Sequence, residues 1–359
     1  MWNLMNESLR ALLNEQYKLV AELRKENKDL KEWKENLIRA DKKKTEHIDE
    51  LDKENEKYKE IYPEQRFRLN ELGGQDGKEI LVIRIDGGLG RVIAMSWAIT
   101  ELAKYMRVRV ITSRPLVFWW NPYIESVHWL DDRDLFANVI RGNNYYELEP
   151  YTDPGFFNDA ENWLDVAKRL LRIEWDTPQP CLFLAEHEKM WNYLDGNKPI
   201  LFQPFGSTMQ MNWADKSYRS MSVESAQYMA DKLVEMWYTP YLVIKQGTQP
   251  VLRNCQLCDT PDLRLVVSLC DRYPVVGCDS SLHHASKAFW RKALVLWAGT
   301  DQERYGYDSN INMREYPFKA FTPMRLPMNS FDLDISNQGT NNFTKGFIDK
   351  ALVEVKNNL

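Results

Sequence analysis

The sequence is poor in the features that mark secreted, membrane-spanning or nucleic-acid-binding proteins. Its 5 cysteines among 359 residues form no regular framework, which argues against a disulfide-stapled secreted scaffold. It contains no signal-peptide pattern and no run of about 18 apolar residues, so we expect a soluble, cytoplasmic protein. A formal net charge of −5 supplies no electrostatic reason for strong binding to nucleic acid.

Two chemical fingerprints are also missing. The glycine-rich loop at 86–90 does not have the G-x-G-x-x-G spacing of dinucleotide-binding proteins, and no acidic residue follows the next strand at the expected place, which disfavours an oxidoreductase. Cys255 and Cys258 lie close together, but neither a second cysteine pair nor a histidine follows at zinc spacing. Ordinary loop cysteines are the simpler interpretation of this pair.

A chain of 359 residues has room for two domains plus an accessory segment, and 44% apolar residues are enough to form their cores. The first motif begins with a buried-strand pattern at 79–85, runs into the loop Asp86-Gly-Gly-Leu-Gly90, and continues as a helix from Val92 to Tyr105. A further strand is predicted from Arg107 to Thr112. Three glycines in four residues allow a tight turn and a close approach of the backbone to a ligand.

The second motif repeats this arrangement in the other half of the chain. A short buried strand from Pro274 to Gly277 precedes Asp279, Ser280 and Ser281, residue types that cap helix starts, and another strand begins at Ala293. Free amides and the positive end of the helix dipole favour a diphosphate at such a turn. An ordinary capped helix is the alternative interpretation.

The first 61 residues have a different pattern. Leucines recur with heptad spacing, as at Leu9, Leu23 and Leu30, and Asn27 lies at a seam position, which favours a paired, in-register coiled coil. We therefore predict a coiled coil at 1–61 that mediates self-association of unspecified size, followed by a polar linker at 62–77. A single solvated helix remains the alternative.

In its two loops the chain resembles glycosyltransferase family 9, the ADP-heptose:lipopolysaccharide heptosyltransferases and their relatives. The family's Leu-Gly-Asp-Val motif is matched by Leu89-Gly90-Arg91-Val92, and its Asp-(Ser/Thr)-Gly-x-x-His motif by the segment from Asp279 to His284. Its Gly-x-Thr-Asp turn is similar to the segment 298–301. The resemblance covers about residues 79–305, and the order and spacing of the motifs are more specific than any one of them.

The resemblance implies an α/β protein with the GT-B fold, in which two Rossmann-like domains face a cleft. The expected boundaries are 78–190 for the N-terminal, acceptor-binding domain and 191–335 for the C-terminal, nucleotide-sugar-binding domain. The last segment, 336–359, would be a helix that returns to the N-terminal domain.

The resemblance also assigns roles to residues of the second motif. The donor diphosphate would be bound by the backbone amides and hydroxyls of Ser280, Ser281 and Leu282, with Arg219 as the cation and Lys216 as its alternative. Two further residues match the family positions that bind the donor sugar, Asp279 and His284. His283 has no counterpart in the family motif.

The first motif departs from the family where the catalytic base is expected. Arg91 occupies the position of the family's aspartate, and Ser281 replaces the glycine of the second motif. Asp86, at the end of the first strand, is our candidate base, although it could instead only cap the turn. Gly88, Gly90 and Arg91 are expected to bind the acceptor or a phosphate.

We therefore expect an inverting, metal-independent glycosyltransferase that moves a sugar from a nucleotide-diphosphate donor to a saccharide hydroxyl, without a further cofactor. The change at Arg91 leaves two alternatives open. One is transfer to a hydroxymethylated DNA base, as in viral GT-B enzymes, and the other is a non-catalytic sugar-nucleotide or glycan-binding module on an oligomerising coil.

Overall fold

The computed structural model describes the ranges 79–153, 155–156, 161–173, 179–190, 194–206, 219–244, 249–258, 263–316, 324–325, 331–332 and 341–359. The predicted coiled coil at 1–61 and the linker at 62–77 lie outside these ranges. Lys216, the alternative cation, lies outside them as well. In the part of the chain that the structure does describe, no helix is both long and apolar enough to span a bilayer.

The first half of the described chain forms a sheet of 4 strands, all of them parallel. These strands are β1 (Ile80–Arg84), β2 (Arg107–Thr112), β3 (Ser126–Trp129) and β4 (Asn144–Glu147). Their order across the sheet is β3-β2-β1-β4, so β1 is a central strand and its carboxyl end lies between those of β2 and β4. The loop that follows β1 is thereby placed at the middle of the sheet edge.

The second half forms a parallel sheet of 6 strands. They are β5 (Pro199–Gln203), β6 (Thr239–Val243), β7 (Gln256–Cys258), β8 (Val275–Cys278), β9 (Ala293–Trp297) and β10 (Ile311–Arg314). The order is β10-β9-β8-β5-β6-β7. Two short segments, β11 (Met324–Arg325) and β12 (Phe331–Asp332), pair antiparallel to each other. The prediction of an α/β protein with two parallel sheets is confirmed.

Helices connect the strands of both sheets. They are α1 (Leu89–Ala103), α2 (Trp163–Leu170), α3 (Glu186–Met190), α4 (Val223–Glu235), α5 (Leu263–Arg272), α6 (Ser281–Ala288), α7 (Gln302–Tyr305) and α8 (Lys345–Asn358). The helix predicted to begin at Val92 begins at Leu89, because the glycine loop ends at Gly88, which has an extended backbone and is the N-cap. Ser222 caps α4 as its sequence suggests, since its Oγ accepts a hydrogen bond from the Ser225 amide.

Strands β8 and β9 have apolar sequences because both of their faces are covered. Every residue of Val275–Cys278 and of Ala293–Trp297 is buried, as is usual for central strands of parallel sheets. Gly277 is required within β8, because a Cβ atom there would lie 2.2 Å from the backbone oxygen of Gln203 on β5. This packing fixes the carboxyl end of β8, from which the second motif emerges.

The two halves share a continuous apolar core. Side chains of α1, such as Ile93 and Trp97, belong to the same cluster of buried residues as Leu282 and Ala285 of α6. The helix that follows the first motif therefore packs against the helix that follows the second. Burial of this surface brings two loops together that are far apart in the sequence.

The C-terminal helix has a buried face that packs against elements of the second half. The buried residues of α8, including Ile348 and Leu352, lie in a cluster with Leu233 of α4 and Leu294 of β9. In the described part of the chain this helix therefore packs on the second sheet, and its return to the first domain stays a prediction. Its apolar positions recur with helical spacing, but such spacing gives no information about which sheet they cover.

Candidate functional site

The glycine loop places one acidic side chain at the carboxyl end of β1. Asp86 accepts a hydrogen bond from the hydroxyl of Ser113, which follows β2. Partial burial works to raise the pKa of Asp86, but hydrogen bonds from Ser113 and the Gly87 backbone, together with the charge of Arg91, outweigh it and lower the pKa below its usual value. Asp86 is therefore an ionised carboxylate at neutral pH.

Arg91 does not extend freely into a cleft. Its Nη1 donates to Oε1 of Glu149 at 2.6 Å, its guanidinium lies 5.2 Å from the centre of the Tyr151 ring, and its side chain is 3% exposed. The loop is shaped around it, since Gly87 has φ +109° and a Cβ atom there would lie 2.6 Å from Nη2 of Arg91. The structure thus couples Arg91 to a carboxylate from the end of β4.

The second motif contains a buried carboxylate with a donor near each oxygen. Nε2 of His283 donates to Oδ1 of Asp279 at 3.2 Å, and Nη1 of Arg219 lies 3.9 Å from Oδ2. Burial alone would raise the pKa of Asp279, but the hydrogen bond from His283 and the charge of Arg219 hold that pKa well below its usual range. Asp279 is ionised and can accept further hydrogen bonds.

His284 lies in an aromatic environment beside this carboxylate. A hydrogen bond of 2.7 Å joins its Nδ1 to the Tyr307 hydroxyl, and its ring lies 5.1 Å from that of Trp163. Burial lowers the pKa of His284 well below its usual value and raises the pKa of Tyr307 well above its usual value. Both groups are therefore neutral at physiological pH.

The two motifs meet at Gly90. A Cβ atom on this glycine would lie 2.7 Å from Cδ2 of His284, 3.1 Å from its Nε2 and 3.5 Å from Cα of Ser281. Only a glycine permits this distance between α1 and α6. The glycine loop that carries Asp86, at the first sheet, and the Asp279 motif, at the second, therefore lie side by side.

The beginning of α6 retains hydrogen-bonding groups that the described protein does not use. Ser280 is the N-cap residue, but it makes no side-chain cap hydrogen bond, and its buried Oγ has no partner among the described residues. The side-chain capping bond, which belongs to the alternative interpretation of this turn, is therefore not made by Ser280. Oγ1 of Thr300, in the loop after β9, also has no described partner.

Three residues of the motif have the donor atoms that a metal ion requires. Asp279, His283 and His284 offer ligand atoms within 4.8 Å of one another, and all three are buried. Two of these side chains already share a hydrogen bond with each other, and His284 shares one with Tyr307. The expectation of metal-independent chemistry stays a prediction.

The structure brings most of the predicted site residues together. The second-motif residues lie at the carboxyl end of β8 and the start of α6, and Gly90 contacts them. Ser281 is partly buried and Leu282 is fully buried, so Leu282 can contribute only its backbone to a ligand site. Gly88 is exposed, and a Cβ atom there would contact nothing within 4 Å. Contact of Gly88 or Arg91 with a ligand stays a prediction.

Several residues around the site were not identified from the sequence. Glu149 and Ser113 follow the strands on either side of β1, so the rule that ligands bind beyond the carboxyl ends of parallel strands would have indicated them. No rule of this kind would have indicated Tyr307 or Trp163 from the sequence. Their contact with His284 depends on the packing of α2 and of the segment after α7.

No family model matches the sequence. No curated protein matches it either. Several solved structures of glycosyltransferases are similar to it. A family 9 glycosyltransferase from Veillonella parvula has a TM-score of 0.50 and 14% identity, covering 66% of this chain and 85% of its own.

Two heptose-related structures from E. coli are similar at the same level. Heptosyltransferase WaaC with ADP-2-deoxy-2-fluoro heptose has a TM-score of 0.53 and 10% identity, covering 77% of this chain and 99% of its own. The iron-containing dodecameric glycosyltransferase TibC, from an enterotoxigenic strain, has a TM-score of 0.56 and 12% identity, covering 78% of this chain and 76% of its own. At these identities the likeness establishes a shared α/β fold with two parallel sheets, compatible with that of family 9 glycosyltransferases.

Proposed function

We propose that the protein is an inverting, metal-independent glycosyltransferase of GT-B architecture. It would transfer a sugar from a nucleotide-diphosphate donor to a hydroxyl group of a saccharide acceptor. The main support is the contact of Gly90 with His284 and Ser281, which juxtaposes a carboxylate-bearing loop and a helix start with an unpartnered buried hydroxyl. The fold shared with glycosyltransferases that were crystallised with nucleotide sugars agrees with this assignment.

The donor would bind on the second sheet. Free amides at the start of α6, the hydroxyl of Ser280 and the guanidinium of Arg219 are suited to the diphosphate, because a helix N-terminus and a cation both stabilise negative charge. Asp279, ionised and buried, would accept hydrogen bonds from hydroxyls of the donor sugar. His284, being neutral, adds no charge beside the leaving group.

The acceptor would bind on the first sheet. In an inverting transfer the acceptor oxygen attacks the anomeric carbon from the face opposite the diphosphate, and the bond from that carbon to the diphosphate breaks. Asp86 would take the proton of the acceptor hydroxyl, and Ser113 would orient its carboxylate. The nucleoside diphosphate then leaves with the negative charge that α6 and Arg219 stabilise.

One observation favours a second candidate, a non-catalytic sugar-nucleotide-binding module. Arg91, at the position of the family's catalytic aspartate, is buried and paired with Glu149, so that position provides no base. The donor side of the site is unaffected by this change. A module of this kind would bind nucleotide sugars without transferring them.

Thermal unfolding with a ligand panel tests the donor site. ADP, UDP and GDP, together with ADP-heptose, UDP-glucose and GDP-mannose, are added to the full chain at increasing concentration. A ligand that binds only the folded protein raises the Tm by mass action, so we expect a selective shift with one nucleotide base and a smaller shift in the Arg219→Met variant. The absence of any shift across the panel would contradict both candidate functions.

Turnover separates the two candidates. Release of nucleoside diphosphate from the bound nucleotide sugar is measured with water or a saccharide mixture as acceptor. For a transferase, Asp86→Asn should reduce the rate about 100-fold or more while donor binding is kept. Donor binding without any release from the wild-type protein would establish the binding module instead.

A further inference from the structure

His283 is buried next to Asp279, although it has no counterpart in the motif that assigns the other site residues. Its side chain is 1% exposed, and its Nε2 lies 3.2 Å from Oδ1 of Asp279. Since the ionised carboxylate can only accept hydrogen bonds, Nε2 must carry the proton that it donates. His283 is therefore a fixed donor to one oxygen of this carboxylate.

The carboxylate is oriented from two sides. His283 donates to Oδ1, and Arg219 lies 3.9 Å from Oδ2. A carboxylate can accept about four hydrogen bonds in total, so the hydrogen bond from His283 and the ion-pair contact with Arg219 leave part of its capacity unused. The remaining acceptor positions suit a ligand that presents several hydroxyl groups.

The His283 ring cannot easily rotate away from Asp279. The ring centre lies 3.8 Å from that of His284, 5.7 Å from that of Trp297 and 5.8 Å from that of Tyr307. These contacts come from α6 itself, from β9 and from the segment after α7. The ring is thus held by three separate parts of the second half.

We propose that His283 is a positioning residue, which holds the Asp279 carboxylate so that it binds hydroxyl groups of the donor sugar. The proposal rests on the proposed function, because it presumes that a nucleotide sugar binds at this motif. It goes further by assigning His283 to the sugar moiety and not to the nucleotide. Affinity for a nucleotide sugar should therefore depend on His283, whereas affinity for the matching nucleoside diphosphate should not.

The test uses two substitutions that differ in one property. His283→Met introduces an apolar side chain of comparable length and removes the N–H that donates to Asp279. His283→Gln instead places an amide N–H near the position of Nε2. Ser286→Ala is the matched control on the same helix, because Ser286 is buried and its hydroxyl has no described partner. Affinities for ADP-heptose, UDP-glucose and GDP-mannose, and for ADP, UDP and GDP, are measured by calorimetry on the full chain.

We expect His283→Met to bind the nucleotide sugar about 10-fold or more weakly, with unchanged affinity for the nucleoside diphosphate. His283→Gln should recover most of the loss, and Ser286→Ala should bind as the wild type does. Equal sugar affinity in the wild type and His283→Met overturns the inference. So does an equal loss for the sugar and the diphosphate ligands, which would show that His283 only fills space.

Two further results, a variant that does not fold and a wild-type protein that binds no ligand, also decide the inference. If His283→Met does not fold, His283→Gln is combined with Asp279→Asn, and strictly additive effects on sugar affinity would overturn the coupling of the two residues. If the wild-type protein binds none of the six ligands, the proposed function itself fails and this inference fails with it. That result is distinct from a wild-type protein that binds a nucleotide sugar independently of His283.

Discussion

Arg264 and Asp279 both place a charge in the interior of the second half, but the protein surrounds them differently. Arg264, on α5, makes a bidentate pair with Glu188, in which Nε donates to Oε1 at 2.8 Å and Nη2 to Oε2 at 2.6 Å. The guanidinium also donates to the backbone oxygens of Leu116, at 3.0 Å, and Phe183. All three nitrogens of this cation have partners within the protein.

Around Asp279, by contrast, some buried polar atoms have no described hydrogen-bond partner. In the described part of the chain, Oγ of the neighbouring Ser280 and Nδ1 of His283 are buried without a hydrogen-bond partner. Most buried polar atoms of folded proteins do have one. Unused donors and acceptors around an ionised carboxylate are what a site for a polar ligand requires.

The comparison indicates different roles for the two regions. Arg264 links α5 to the connection between β2 and β3, to the segment before α3 and to α3 itself, so it contributes to the structure by joining the two halves. Asp279 lies where α1 meets α6 and keeps hydrogen-bonding capacity for a ligand. Buried charge alone therefore does not identify a functional site; the distinction lies in whether its neighbours are satisfied.

The largest expected effect is a loss of stability when the ion pair between Arg264 and Glu188 is broken. Arg264→Ala leaves the Glu188 carboxylate buried without its partner, which should cost about 3–5 kcal/mol in the free energy of unfolding. Denaturant titration measures the loss. The double substitution Arg264→Met with Glu188→Met should recover much of it, since a buried ion pair is often replaceable by apolar side chains. A double variant no more stable than the single one would contradict the assigned role.

The pH dependence of the free energy of unfolding tests the role of the Asp279 charge. Because its pKa is lower in the folded than in the unfolded protein, Asp279 contributes stability above the unfolded pKa of about 3.9, and this is lost as the pH falls toward the folded pKa. Asp279→Asn should remove about 1.5–3 kcal/mol at neutral pH and flatten the fall in stability below pH ~4. Denaturant titrations at a series of pH values measure it, and an unchanged pH dependence in Asp279→Asn would refute the linkage.

Gly90→Ala tests the contact between the two motifs. The added Cβ would lie 2.7 Å from His284, so we expect a loss of about 1–3 kcal/mol and weaker nucleotide binding. Gly346 is the matched control, because it is the second residue of α8, as Gly90 is of α1, and a Cβ there contacts nothing within 4 Å. Gly346→Ala should be neutral or stabilising by up to about 1 kcal/mol. Equal responses of the two variants would show that α1 and α6 do not pack at this distance.

The smallest expected effect on stability is that of Ser280→Ala. Its hydroxyl caps nothing, so the free energy of unfolding should change by less than about 0.5 kcal/mol, whereas Ser222→Ala should cost about 1 kcal/mol, because Ser222 caps α4. Nucleotide binding should show the reverse order, with Ser280→Ala the weaker binder. A capping-sized loss of stability in Ser280→Ala would remove the argument for an unused hydroxyl.

Local patterns were sufficient to predict the elements that carry the site. The apolar runs before Asp86 and Asp279 became β1 and β8, and the helices that follow them were predicted within a few residues. For α8 they identified the apolar positions correctly but gave no information about the elements that these positions contact. Local patterns also did not reveal that Ser280, although serine favours helix caps, makes no side-chain cap hydrogen bond here.

The sequence by itself determined that this is an α/β protein, and that a glycine loop and an Asp-Ser-Ser turn each follow a buried strand. Both follow from properties of neighbouring residues, namely apolar periodicity, backbone freedom at glycine and the chemistry of helix starts. Only the tertiary structure decided that Arg91 pairs with Glu149, that His283 orients Asp279 and that Gly90 meets His284. The pairing of Arg91 joins residues 58 positions apart, and the approach of Gly90 to His284 depends on how two helices pack. Packing is set by burial of the shared core, which no local pattern encodes.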